Sequence, residues 1–155
     1  MTASCGACNL CCKLLGVPDI KKPSQMLCWW TGLHGGCSRQ ADKTGPNADP
    51  SLAACAQFEC VWLASQKSEG FLPRYLRPDI CHVVLGPQDP KQDQLLYVQV
   101  DPKYATAWKE EGVLEYLSGA SARGWRIEII IDEVRIEFAA GALSMPLAET
   151  SSGIP

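Results

Sequence analysis

The sequence is short of the residues from which most enzyme chemistry is assembled. Its 155 residues include two histidines, His34 and His82, and no Gly-x-Ser-x-Gly, phosphate-loop or dinucleotide fingerprint. Hydrolytic, nucleotide-driven and dehydrogenase readings therefore lose their usual markers, and no catalytic residue is expected. There is no uncharged apolar run of about 18 residues, so no membrane-spanning helix and no membrane partner are expected. The opening residues, Met1 to Gly6, have neither a basic start nor an apolar stretch. That speaks against a secretory signal and for a cytoplasmic, reducing location. Positive charge is also scarce: Lys+Arg 14 against Asp+Glu 17 gives a net charge of −3. Residues 1–88 carry eight basic and six acidic side chains, and residues 89–155 carry six and eleven. Eight thiolates around two divalent ions would turn the first part from +2 to −2. Affinity for nucleic acid comes mainly from Lys and Arg neutralising phosphates, so no nucleic-acid partner is expected.

What the sequence has in abundance is cysteine: nine in all, eight of them within the first 60 residues. Disulfide frameworks are normally read from an even set in a short secreted chain. An odd count in a chain without an export signal points to metal ligation instead. The leading motif is Cys5-Gly6-Ala7-Cys8-Asn9-Leu10-Cys11-Cys12. A two-residue spacer lets two sulfurs reach one ion while the turn between them aims amides at the thiolates, the form that binds metal. Four thiolates this close repel one another unless a cation lies among them. Cys28, Cys37, Cys55 and Cys60 extend the set, giving eight candidate metal ligands with Cys5, Cys8, Cys11 and Cys12. Adjacent Cys11 and Cys12 differ by about 100° around a helix, so they serve different ions or one sulfur bridges two. Cys55 and Cys60 are about 140° apart on a regular helix and share an ion only if the helix ends or distorts between them. More than one ion, or a multinuclear cluster, is expected, because a closed tetrahedral site needs four ligands. Cys81 reads either as a buried thiol or as a further ligand. His34 and His82 read as loop histidines, with ligation as the alternative. Trp29, Trp30 and Trp62 read as core or as a dry lid over the metal.

The rest of the chain reads as an α+β protein. A Cys-rich, metal-bound subdomain of loops and short helices spans 1–88. An α+β unit packed on it spans 89–148, and a flexible tail spans 149–155. Gly86 to Asp93, polar and with two prolines, forms the connector. Cys8, Cys11, Cys12 and Leu15 share one helical face, and Pro18 ends that helix. Asp49-Pro50 has the form of an N-cap and a first-turn proline, opening a helix through Leu52, Cys55, Phe58, Val61 and Trp62. Leu95 to Val100 alternates as a strand. Pro102 to Ser118 predicts a helix with Ala107, Trp108, Val113, Leu114 and Leu117 as its apolar stripe and Gly119 as its C-cap. After Gly124, Trp125, Ile127, Ile129 and Ile131 share one strand face. Asp132-Glu133 makes the turn, and Val134, Ile136 and Phe138 form the facing set of an antiparallel hairpin.

The stretch from Cys5 to Leu63 resembles the YkgJ-type cysteine-cluster family of zinc- or iron-chelating CxxCxxCC proteins. The resemblance lies in Cys5 to Leu15, Lys22-Pro23, Cys28, Gly36-Cys37 and Cys55 to Leu63, with Leu76-Arg77-Pro78-Asp79 and Cys81 following on. It covers a little under half of the chain, and the doubled cysteine is its specific part. The chain departs from the pattern in three places. Trp30 and Thr31 stand where members often carry a His-Cys pair, Ser51 and Leu52 stand for an Arg-Pro, and the loop from Ser38 to Asp49 is long. The resemblance implies zinc or iron and no settled activity.

Three functions fit these readings. The first is a small protein that binds zinc or iron, more than one ion, for structure or chelation. The second is an iron–sulfur component in redox or group-transfer chemistry, because Cys5, Cys8 and Cys11 repeat the start of the bacterial ferredoxin spacing. Enzymes that methylate flagellin lysines are similar in the cysteine cluster, which favours group transfer. The third is a metal-stabilised module that presents a loop platform to a protein partner, marked by an apolar surface near Trp29 and Trp30.

Overall fold

The computed structural model describes residues 6–43, 45–87 and 94–139. Cys5, most of the connector and the expected tail lie outside the described residues. The chain is α+β, built on a four-stranded sheet in the order β1–β2–β3–β4. The strands are β1 Val83–Pro87, β2 Leu95–Val100, β3 Arg126–Ile131 and β4 Val134–Phe138.

β3 and β4 form the expected C-terminal hairpin. Ile127 faces Phe138, Ile129 faces Ile136 and Ile131 faces Val134. Asp132 turns the chain with a left-handed φ of 55°, a conformation that aspartate tolerates better than most residues. The sheet is mixed, where the pattern of strands suggested antiparallel pairing. β2 and β3 run parallel, from Leu95 beside Arg126 to Val100 beside Ile131. Parallel neighbours need a crossover, and the helix α5 (Glu111–Ala122) between them supplies it.

The helix expected over Pro102–Ser118 starts later and ends later. The Asp101 carboxylate accepts from the Lys103 amide at 3.1 Å and opens a 3-10 turn at Pro102–Tyr104. A second 3-10 turn spans Ala107–Lys109, and the extended Glu110 separates it from α5. Ala107 and Trp108 are buried as expected, but from this turn rather than from the helix. Gly119 lies inside α5, and Gly124, with φ of 88°, makes the left-handed exit just beyond Arg123.

Sequence reading did not foresee β1. Its Val83, Val84 and Leu85 are only 0%, 1% and 2% exposed, so both faces are covered. Val83 and Leu85 join the main core with Val98, Val100, Leu117, Ile127 and Ile129. Val84 points the other way, into a second cluster with Cys8, Leu10, Leu14 and Cys60. β1 is thus the wall shared by the sheet and the cysteine-bearing layer.

That layer has little regular structure. It holds α1 (Leu10–Leu14), α2 (Ala53–Gln57), α3 (Val61–Ser65) and α4 (Pro78–Cys81), joined by loops and 3-10 turns. Asp49 caps one such turn, accepting from the Ser51 amide at 2.9 Å, with Pro50 at its first position.

Candidate metal centre

Four local features bring the cysteines together. Leu10 and Leu14 of α1 are buried against β1, which leaves Cys11 and Cys12 on the partly exposed side. The Cys28 amide donates to the Cys12 carbonyl at 3.1 Å and fixes the next loop beside α1. A bridge between Thr31 and Cys37 closes that loop. Gly35 and Gly36, with φ of 82° and 73°, let it back onto the leading motif. A Cβ on Gly35 would lie 2.3 Å from the Ala7 carbonyl oxygen, and one on Gly36 2.8 Å from that of Gly6. Glycine is required there both for its conformation and for the close approach.

The fourth feature is a break. The helix expected to run through Trp62 stops at Phe58, whose ψ of 124° ends α2. Cys60, with ψ of 154°, then starts α3. This interruption is the condition under which Cys55 and Cys60 can face one site.

Seven of the eight candidate ligands line one cavity of about 360 Å³: Cys8, Cys11, Cys12, Cys28, Cys37, Cys55 and Cys60. Cys5 lies outside the described residues. All the described cysteines are free thiols. Their sulfurs are spread along the cavity walls, and among the described residues no group of three Cys, His, Asp or Glu side chains converges closely enough to enclose an ion. The donors are nonetheless of the kind a borderline or soft cation selects. They fit zinc or iron by chemistry, and seven exceed what one tetrahedral ion needs.

Cys81 does not line this cavity. Its thiol donates to the Val83 carbonyl at 3.4 Å, and burial pushes it up to about 11. It borders a separate open groove together with His82 and Tyr104. His82 stacks on Tyr104 at 3.6 Å and 8°, and His34 is exposed. Neither histidine lines the cysteine cavity.

The thiols differ in how readily they ionise. The Cys11 thiol donates to Cys12 and lowers it to about 6, against the opposing effect of burial and with help from Lys43 and Lys22. Burial raises Cys8 and Cys55. Raised thiols hold their protons at neutral pH, and a cation bound among them would favour the thiolate and release those protons. The Cys55 thiol also feels Cys12, Cys28 and Cys37, a set of four. Cys8 instead pairs with Cys60 in the buried cluster against Val84, where the Asp79 amide donates to it. The segment Leu76 to Asp79 therefore touches the leading motif, and the Arg77 guanidinium covers the Trp62 ring at 5.6 Å.

Nothing in the sequence marks Lys43 as a lining residue, and Lys22, Leu52 and Phe58, legible only as part of the resemblance or of a helix face, also line the cavity. Lys22 is 3% exposed, and nothing in the sequence distinguishes a buried lysine from a solvated one. Of the tryptophans, Trp30 lines the cavity under the Arg39 guanidinium, 4.8 Å from its ring. Trp29 is half exposed, as are Met26 and Leu27, and Leu33 is fully so. No family model matches the chain, and no curated protein or solved structure matches it.

Proposed function

We propose that the protein binds zinc or iron through its cysteine cluster, as a cytoplasmic member of the CxxCxxCC class, with more than one ion or a multinuclear cluster per chain. The observation that carries this reading is the gathering of seven thiols from four separate stretches of chain around one cavity. Buried thiols alone are ordinary small hydrophobes. Seven thiols along the walls of one cavity, including one that ionises near neutrality, make a poor apolar core and a good cation site. The metal's role is to hold the loops in place or to be carried.

The test is metal analysis with an optical spectrum on protein purified without oxygen. The expected result is more than one zinc or iron per chain. A colourless protein with stoichiometric zinc supports structure or chelation, and visible absorption supports an iron–sulfur centre. One mononuclear ion that leaves four of the eight candidate ligands as free thiols overturns the multi-ion reading. Metal-free protein that takes up neither ion on reconstitution overturns the function as a whole.

A further inference from the structure

Among the charged residues of the cysteine layer, Lys22 is the most deeply buried. It is 3% exposed and lines the thiol cavity. Its ammonium donates to the carbonyls of Leu15 at 2.5 Å, Pro23 at 2.9 Å and Lys13 at 3.4 Å. Two of these carbonyls belong to α1 and its C-cap, so the lysine also ties α1 to the following turn. Among the described residues no carboxylate pairs with it. Burial pulls the Lys22 ammonium below its usual range, and the neighbouring thiols of Cys28, Cys12, Cys55 and Cys11 act against that.

An ammonium taken out of water is costly unless opposite charge compensates it, and carbonyl dipoles compensate only in part. The compensation available here is thiolate. Two divalent ions among the seven lining cysteines would leave three negative charges unbalanced. A buried cation beside them offsets that excess in a medium where Coulomb interactions are strong. Resting on the metal-binding reading above, we propose that Lys22 is the built-in counter-cation of the cluster, and that the metal–thiolate assembly it faces carries net negative charge. The residue does not ligate; it positions α1 and stabilises ligands that have lost their protons, as outer-shell partners of metal sites do.

The experiment separates charge from hydrogen bonding. Wild type, Lys22→Gln, Lys22→Met and Lys22→Arg are loaded with Zn²⁺ alone, and affinity is measured by competition with a chromophoric chelator. Co²⁺ absorption in each variant reports the ligand set, and far-ultraviolet dichroism reports the sheet. Glutamine keeps donors for the carbonyls without charge, methionine keeps only the stem, and arginine keeps the charge. The expected result is a loss of about 10–100-fold in affinity in both Gln and Met variants, the usual effect of removing an outer-shell partner. Their Co²⁺ bands stay those of wild type, and Lys22→Arg stays close to wild-type affinity. Wild-type affinity in Lys22→Gln with loss only in Lys22→Met would make the lysine a structural tie and overturn the proposal. Unchanged affinity in both neutral variants would overturn it as well. Should arginine disturb the Co²⁺ spectrum, the Gln and Met pair decides alone. Wild type that binds neither Zn²⁺ nor Fe²⁺ sinks the metal-binding reading itself, an outcome distinct from any of these.

Discussion

The two layers that meet at β1 are held together by different physics. The sheet and α5 bury Val83, Val98, Val100, Leu117 and Ile129 completely. Backbone ladders run unbroken from β1 to β4. Most of its large apolar side chains are buried within the layer itself, although Val134 is half exposed. The cysteine layer has helices of only four or five residues, too short to be stable alone. Its loops are fixed by single hydrogen bonds, by two glycines pressed on a neighbouring backbone and by a buried lysine. Apolar side chains that would close a core, such as Met26, Leu27 and Leu33, point outward instead. What the second layer lacks in burial it makes up in thiols. A cation among them would complete it in the way burial completes the sheet.

Stripping the metal is the strongest test of that contrast. Structural zinc contributes about 10–16 kcal/mol of apparent binding energy in small peptides, against about 5–15 kcal/mol for the whole stability of a typical domain. A chelator should therefore abolish amide protection across residues 8–63 while β2, β3, β4 and α5 keep theirs. β1 should fall between, because Val84 loses its cover of Cys8, Leu10 and Leu14 whereas Val83 and Leu85 do not. Hydrogen exchange read by mass spectrometry checks this. Equal protection of both layers after chelation would show that the cysteine layer needs no cation.

The same contrast explains which parts of the molecule are legible in the sequence. The hairpin is legible because Ile127 and Ile129 alternate with Arg126 and Glu128 on a strand with one covered face, although the buried Ile130 interrupts the alternation. β1 is not, because a strand buried on both faces gives the continuous run Val83-Val84-Leu85 rather than an alternation, and Gly86-Pro87 then resembles a loop. Asp101 and Glu110 divide an expected single helix into turns by local hydrogen bonding and extended backbone, which periodicity does not register. In the cysteine layer the gathering of the cysteines around one cavity is legible from their spacing. The break between Cys55 and Cys60 is not, since no glycine or proline marks it. Lys22 is hidden for a different reason: its burial depends on carbonyls supplied by α1, a tertiary fact.

A smaller effect sharpens the division between ligand and packing thiols. Cys8→Ser removes a candidate ligand thiol from the cavity wall and should lower metal per chain and amide protection in residues 8–63 together. Cys81→Ser should leave metal content intact, because Cys81 faces the Val83 carbonyl and a different groove. It should cost about 1–3 kcal/mol in a denaturant titration for the buried hydroxyl. Equal metal loss in both variants would make Cys81 a ligand and the cavity larger than its seven described sulfurs.

The smallest effect concerns the ion pair that joins the layers. The Lys13 ammonium of α1 donates to both carboxylate oxygens of Asp101, just after β2, at 2.8 Å and 2.7 Å. Burial acts to raise the Asp101 carboxyl, but Lys13 and the Lys103 amide outweigh it and hold it below the usual carboxylate range. A hydrogen bond to a charged group contributes about 1.5–3 kcal/mol. The Lys13 side chain is 34% exposed, so solvent screening reduces this to about 1 kcal/mol. Because the folded carboxyl is the stronger acid, its contribution is full above the unfolded value of about 3.9 and is lost as pH falls through the lower folded value. Asp101→Asn keeps one acceptor oxygen for the Lys103 amide and Lys13, and removes the charge together with the second oxygen that Lys13 uses. The stability gap between wild type and Asp101→Asn, both metal-loaded, should be constant near neutrality and close below about pH 4. Protons displace metal from thiolates over an overlapping range, but they act on both proteins alike, so the gap isolates the carboxylate. A gap that persists undiminished to pH 3, or that is absent at pH 7, would show that the two layers are joined by packing across β1 and not by this pair.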